Sequence, residues 1–214
     1  MRVLVWDLPL RVFHWLLTVA VVGALITVQL GGNWMLWHAR CGLAVLGLLS
    51  FRLVWGLIGP TYARFGQFVP TPGKLRAYFT GRWQGLGHNP LAALSVFALI
   101  GLFAFQALSG LVASDDIAFS GPLAHLVPRA LSSELSFWHR WNEELIYILL
   151  ALHVLAIGVY RLRGQHLLGP MIHGHKHTTD TQAQDTRGGG VLALLIAVAI
   201  AALVVWLASG SWLG

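Results

Sequence analysis

Five apolar stretches constrain this chain more than any other feature. They lie at about Val12–Leu30, His38–Ile58, Leu91–Ala113, Trp138–Tyr160 and Val191–Ala208, each close to the roughly 20 residues that span the hydrocarbon core of a bilayer. Lipid offers a backbone no water to bond, so each stretch must close its own hydrogen bonds as a helix. Composition agrees. The 214 residues are 57% hydrophobic and 10% charged, where a soluble domain carries about 25% charged residues. Most of the chain cannot face water, and a disordered chain would show the opposite bias. The expected class is an all-α membrane protein, a four-helix transmembrane bundle with a fifth, C-terminal transmembrane helix.

Arg2 and Arg11 ahead of the first apolar run resemble the start of a signal peptide, but the run outlasts such a core and no small-residue cleavage site follows. It reads as a retained helix. Ten basic residues (Arg2, Arg11, Arg64, Lys74, Arg76, Arg82, Arg161, Arg163, Lys176 and Arg187) fall on the side of the N-terminus. Three (Arg40, Arg129 and Arg140) fall on the other, and Arg52 lies within the second stretch. The positive-inside rule then sets the N-terminus in the cytoplasm and the C-terminus outside, in a multi-pass arrangement. The net charge of +6 belongs to residues bordering apolar runs, so it points to lipid and not to nucleic acid. A single cysteine, Cys41, permits no internal disulfide and no paired-cysteine metal motif.

Residues 59–90, with Pro60, Pro70 and Pro72, read as a largely irregular inner loop with one helical turn near Lys74–Phe79. The chain divides into a domain over 1–176, a polar, Gly-rich flexible linker over 177–190, and the extra helix in 191–214.

Four of the ten histidines, His14, His38, His139 and His153, lie within apolar stretches. An ionisable side chain there is costly and marks a functional partner more often than not. A lone case could equally bond a carbonyl; the depths make the argument. His14 opens the first helix at the inner face and His153 lies late in the inward-running fourth. His38 opens the second helix at the outer face and His139 opens the fourth there. The result is two pairs, one per leaflet. His139 and His153 are 14 residues apart, which at about 100° and 1.5 Å per residue puts them near one helix face and roughly 21 Å apart. One helix can thus offer a ligand to each of two stacked cofactors.

Imidazole binds zinc, copper, nickel and iron. A zinc site needs ligands converging on one point, whereas these pair across the membrane. Haem iron takes one imidazole on each axial side, and the macrocycle fills apolar space between helices. Two non-covalent haem b groups are the expected cofactors. Gly42, one turn after His38, would leave room for a porphyrin, and Gly101 and Gly110 could do so or simply pack. His173, His175 and His177 read as a solvated tail, and His88-Asn89-Pro90 as a helix start.

Val5-Trp6-Asp7-Leu8-Pro9 before Phe13-His14-Trp15, then Phe51-Arg52-Leu53-Val54-Trp55-Gly56, Arg64-Phe65, Gly87-His88-Asn89-Pro90, His139 with His153, and Met171 with Gly174 and Lys176 follow in order over residues 1–176. In this order the chain resembles the bacterial cytochrome b561 family, which includes the b-type cytochrome subunits of nickel-dependent hydrogenases. The resemblance implies a four-helix core in the bacterial inner membrane, with His14 pairing His153 and His38 pairing His139. It also implies electron exchange between a donor and quinone, the expected substrate. The last helix is an addition to that core, and Trp138, Arg140, Trp141 and Asn142 replace the acidic flanks common around the fourth-helix ligand.

Arg40 and Arg140 adjoin the outer ligands and are candidates for haem propionates. Arg52 needs a partner in the membrane, such as an inner propionate or a quinone oxygen, unless it snorkels to the interface. Three functions compete. The first is an electron-transfer subunit docking a periplasmic redox protein, a c-type cytochrome or hydrogenase, on the segment from Ser114 to Phe137. The second is a self-contained quinone oxidoreductase acting on a small oxidant or radical such as superoxide. The third is a haem-free transporter or scaffold. The sequence leaves enzyme status and oligomeric state open.

Overall fold

In the computed structural model, which describes residues 1–212, the regular elements are helices and one two-stranded sheet, joined by loops. Strand β1 (Arg2–Leu4) leads into α1 (Leu8–Leu30) and α2 (Met35–Ile58). Two short helices, α3 (Phe65–Phe68) and α4 (Pro72–Phe79), follow before α5 (Pro90–Val112) and α6 (Arg129–Leu162). The chain then forms α7 (Leu168–His173), β2 (His175–His177) and α8 (Gly190–Ala208). Five of these helices, α1, α2, α5, α6 and α8, are long and apolar enough to cross a membrane.

Local chemistry explains several boundaries. Asn89 caps α5, its Oδ1 accepting the Ala92 N–H at 2.7 Å, and Pro90 opens the helix where its missing N–H costs nothing. Thr71 accepts from the Lys74 N–H ahead of Pro72 and so starts α4 within the loop expected to be mostly irregular. The α6 helix begins at Arg129 rather than at Trp138, because its first turns are polar and hydropathy does not register them. Its buried positions, Ser132, Ser136, Asn142 and Ile146, recur at helical spacing and so share one face.

Contacts group the chain into two compact units. One comprises Met1–Phe13, Arg52–Leu99 and Leu149–Ala197; the other comprises His14–Phe51, Ile100–Ile148 and the residues from Val198.

In the first unit, β1 pairs antiparallel with β2 in the register Val3 opposite Lys176. Gly174 makes the join possible. It closes α7 at φ +87°, its carbonyl accepts the N–H groups of Val5 and Trp6 at 2.9 and 3.0 Å, and a Cβ there would stand 2.6 Å from the Trp6 carbonyl. The segment read as a flexible linker is bonded along this unit. The Thr186 N–H donates to the Leu4 carbonyl, the Thr61 N–H to that of Arg187, and the Tyr62 hydroxyl to that of Gln184. Val3, Val5, Trp6, Trp55 and Phe68 form the core here.

In the second unit Val21, Leu46, Leu49, Phe103, Ala107 and Ile146 are buried together. Val205 of α8 packs so closely on α2 that a Cβ on Gly47 would lie 2.6 Å from its Cγ2. Large apolar side chains such as Val19, 69% exposed, cover the outside of the helices, where only acyl chains could solvate them.

Candidate functional site

In the second unit α1, α2, α5 and α6 surround a cavity of about 250 Å³, and no described residue of α8 lines it. Its walls are mostly apolar, with Val21, Leu43, Phe103 and Ile146 among them; His38 and His139 both line it, as do Gln106, Asp115 and Glu143. Their ring centroids stand 6.1 Å apart with planes at 84°. Metal–imidazole bonds of about 2 Å would put two rings on opposite sides of one metal with centres about 6 Å apart. The observed separation matches that value.

The hydrogen bonds assign the tautomers. Nδ1 of His38 lies 2.9 Å from the Ala24 carbonyl, which can only accept, so Nδ1 carries the proton. Nδ1 of His139 lies 3.1 Å from Ser109 Oγ, whose own proton goes to the Phe105 carbonyl at 2.7 Å. That hydroxyl therefore accepts from His139. Each ring keeps an Nε2 lone pair for a metal, held by the second partner that histidine ligands characteristically have.

Two glycines of this unit shape the same space. Gly42 lines the cavity, and a Cβ there would meet nothing within 4 Å. A Cβ on Gly110 would stand 2.9 Å from Cε1 of His139. Gly101 does not line the cavity, so it serves no porphyrin there. Among the described residues no group of three or more His, Cys, Asp or Glu is placed to hold a metal ion. A two-nitrogen set in an apolar cavity suits haem, whose macrocycle supplies the other four ligands and needs only the axial pair.

The arginines separate. Arg140 lines the cavity, whereas Arg40 stacks on Trp37 with its guanidinium carbon 4.7 Å from the ring centroid. Arg52, in the first unit, does not snorkel. It is 2% exposed, stacked 4.4 Å from the Phe65 centroid and 5.9 Å from that of Phe68. Its two terminal nitrogens have no hydrogen-bond acceptor among the described residues. Asp7, which accepts from Trp55 Nε1 at 3.0 Å, is the charge that acts on it. Burial outweighs that bond and raises the Asp7 carboxyl above the usual carboxylate range.

His14 is half-buried in the second unit, its ring edge-on to Trp15 at 5.1 Å. His153 is half-buried in the first. Of the loop histidines, His88 packs between the rings of Trp6 and Phe68, with centroids 4.6 and 4.5 Å away. His173 and His175 lie 6.2 Å apart beside the small sheet, so the cluster read as a solvated tail is partly ordered. Lys176 donates to the Leu86 carbonyl at 2.7 Å, and burial lowers its pKa.

Ser109 and Gln106 escaped the sequence reading, and Asn142 entered it only as a departure from the acidic flanks. Asn142 Nδ2 donates to Gln106 Oε1 at 2.8 Å and to the Leu102 carbonyl at 3.0 Å, and Ser132 Oγ donates to the Val112 carbonyl at 2.7 Å. These bonds knit α5 to α6 along the face that carries His139. The helical spacing of small and polar residues over Ser132, Ser136, His139 and Asn142 was the signal for it.

Beyond α5, Asp115 Oδ1 accepts the N–H groups of Ile117, Ala118 and Phe119 at 2.8–2.9 Å, and these bonds hold its carboxyl below the usual range. Asp116 pairs with Arg129 at 3.1 Å, and Ile117 at the loop tip is 93% exposed.

The family model for prokaryotic cytochrome b561 matches residues 5–174. Similar curated proteins include the probable Ni/Fe-hydrogenase 1 B-type cytochrome subunits of Escherichia coli strains K12 and O157:H7. Each is 21% identical, over 80% of this chain and 89% of its own length. No solved structure matches significantly.

Proposed function

The chain belongs to the prokaryotic cytochrome b561 family, and from that premise we propose that it is a di-haem membrane cytochrome passing electrons between an external redox protein and quinone. The observation that carries this reading is the His38–His139 pair, 6.1 Å apart in an apolar cavity, with both Nδ1 protons committed to other partners. Membership of a b-type cytochrome family sets the haem-free reading aside.

His38 and His139 would hold one haem through Nε2, and Arg140 at the cavity wall offers a guanidinium to a propionate. By depth in the sequence, His14 and His153 would hold the other, with Arg52 a cation for its propionate or for a quinone oxygen. When bound, the haems supply the one-electron chemistry. Ala24 and Ser109 fix the ring orientations, and the apolar walls exclude water. Arg40, turned onto Trp37, is the weaker propionate candidate.

The inner-membrane setting, with the N-terminus in the cytoplasm, rests on the distribution of basic residues. It places His38, His139 and the loop from Ser114 toward the periplasm. The relatives' name supports a hydrogenase as the type of partner. A loop braced by Asp115 and presenting Ile117 suits transient docking, since a rigid apolar tip loses little entropy on contact.

A reduced-minus-oxidised spectrum with a haem-to-protein ratio tests the proposal. Two extractable haems per chain, both reducible by a quinol, are expected. A single haem at full occupancy would contradict the two-pair arrangement.

A further inference from the structure

Ser109 is a buried hydroxyl of α5, 3% exposed. A serine hydroxyl has one proton to give. Here it goes to the Phe105 carbonyl at 2.7 Å, with the Gln106 carbonyl 3.2 Å away. Only lone pairs remain for His139 Nδ1 at 3.1 Å. Donating to a carbonyl also makes the oxygen a better acceptor, since bonds in a chain polarise one another. The His139 ring thus meets two adjacent residues, donating to the Ser109 hydroxyl and lying against Gly110, where a Cβ would stand 2.9 Å from its Cε1. His38 bonds a backbone carbonyl; His139 also has the Gln106 backbone carbonyl within reach, and the Ser109 hydroxyl is its side-chain acceptor.

We propose that Ser109 is a positioning residue that holds His139 as its Nδ1–H tautomer and sets the electron-donating strength of its Nε2. It thereby sets the reduction potential of the haem that His38 and His139 would share. The inference rests on the ligand reading proposed above. An acceptor on Nδ1–H pushes electron density toward Nε2 and raises ligand basicity. A more basic axial ligand favours ferric over ferrous iron, so the bond with Ser109 keeps this haem's potential low. Without it, the potential rises and the ring is freer to turn.

The test is optically monitored potentiometry of the full-length, haem-loaded protein, with electron paramagnetic resonance of the ferric state. Ser109→Ala is expected to raise the midpoint of one haem alone and alter its ferric signal at an unchanged haem-to-protein ratio. Ser109→Thr, which keeps the hydroxyl, is expected to restore both. If Ser109→Ala does not assemble, Ser109→Cys is compared with Ser109→Thr. The thiol is a weak acceptor, so the Cys protein should show the higher midpoint. Midpoints and ferric signals identical to wild type in Ser109→Ala, or identical between the Cys and Thr proteins, would overturn the proposal. His139→Ala separates the two levels. If it removes that haem while Ser109→Ala shifts nothing, the ligand reading stands and the role of Ser109 falls. If it leaves both haems bound, the ligand reading falls and takes the proposal with it.

Discussion

The imidazoles of His38 and His139, about a hundred residues apart in sequence, face one cavity with their centroids 6.1 Å apart. In the proposed reading each ring supplies one of the two nitrogens that would hold a shared haem. His38→Ala and His139→Ala are each expected to abolish the same spectral and redox component. By the proposed pairing, His14→Ala and His153→Ala should each abolish the other. The double variant His38→Ala/His139→Ala should still bind one haem. Loss of different components from His38→Ala and His139→Ala would sink the shared-ligand model.

Gly110 gives the site a steric test. A methyl there would press on Cε1 of His139 at 2.9 Å, and crowding of this kind costs about 1–3 kcal/mol. Gly110→Ala should therefore raise the Kd of the haem proposed for His38 and His139 by roughly one order of magnitude. Gly101→Ala, on the same helix but away from the cavity, should not. Haem titration of the two purified proteins compares them directly, and equal affinity would refute the steric account.

These residues were unequally legible. The four candidate histidines stand out because an imidazole in an apolar run is rare and expensive. The membrane helices stand out because a bilayer imposes their length. Ser109 does not, since a serine in a transmembrane helix usually just bonds back to its own turn, as this one also does with Phe105. Arg52 read as a candidate for snorkelling because the sequence does not reveal that Phe65 and Phe68 fold beneath it. The β1–β2 pairing joins Arg2–Leu4 to His175–His177, three-residue segments far apart in sequence and too short for any local periodicity to announce them.

Gly56 shows what the Arg-Leu-Val-Trp-Gly run is for. A Cβ on Gly56 would fall within the ring of Phe65, the ring on which Arg52 stacks. Gly56→Ala should destabilise the protein by about 1–3 kcal/mol by dislodging Phe65. Arg52→Lys should also cost stability, about 0.5–2 kcal/mol, because an ammonium cannot lie flat against two rings. Thermal loss of the haem absorbance in detergent measures both. An Arg52→Lys protein as stable as wild type would show that the stacking contributes nothing.

No described residue of the fifth membrane helix lines the cavity, and its contact with α2 is steric, Val205 against Gly47. Truncation after Thr186 should leave the reduced-minus-oxidised spectrum and haem ratio intact. Gly47→Leu should likewise spare the haems while loosening α8, detected as faster proteolysis before Gly190. Loss of either haem on truncation would mean that α8 shapes a pocket after all.

Lys176 supplies a pH test. Its ammonium is buried against the Leu86 carbonyl, and burial depresses its pKa below the ordinary lysine value of about 10.4. Between the depressed and the ordinary value the unfolded chain binds the proton more readily than the folded one. Stability from this site therefore rises with pH through that window, is complete above the ordinary value, and is lost as pH falls through the folded value. The neutral amine still has N–H groups to donate to Leu86, so deprotonation relieves the desolvation without breaking the bond. Lys176→Met removes the titration while keeping an unbranched apolar stem. The difference in thermal midpoint, wild type minus Lys176→Met, should grow in favour of wild type between pH 7 and about pH 10. Taking the difference cancels the titration of groups common to both proteins. A difference that stays flat, or falls, across that range would show that the Lys176 ammonium is not penalised by its burial.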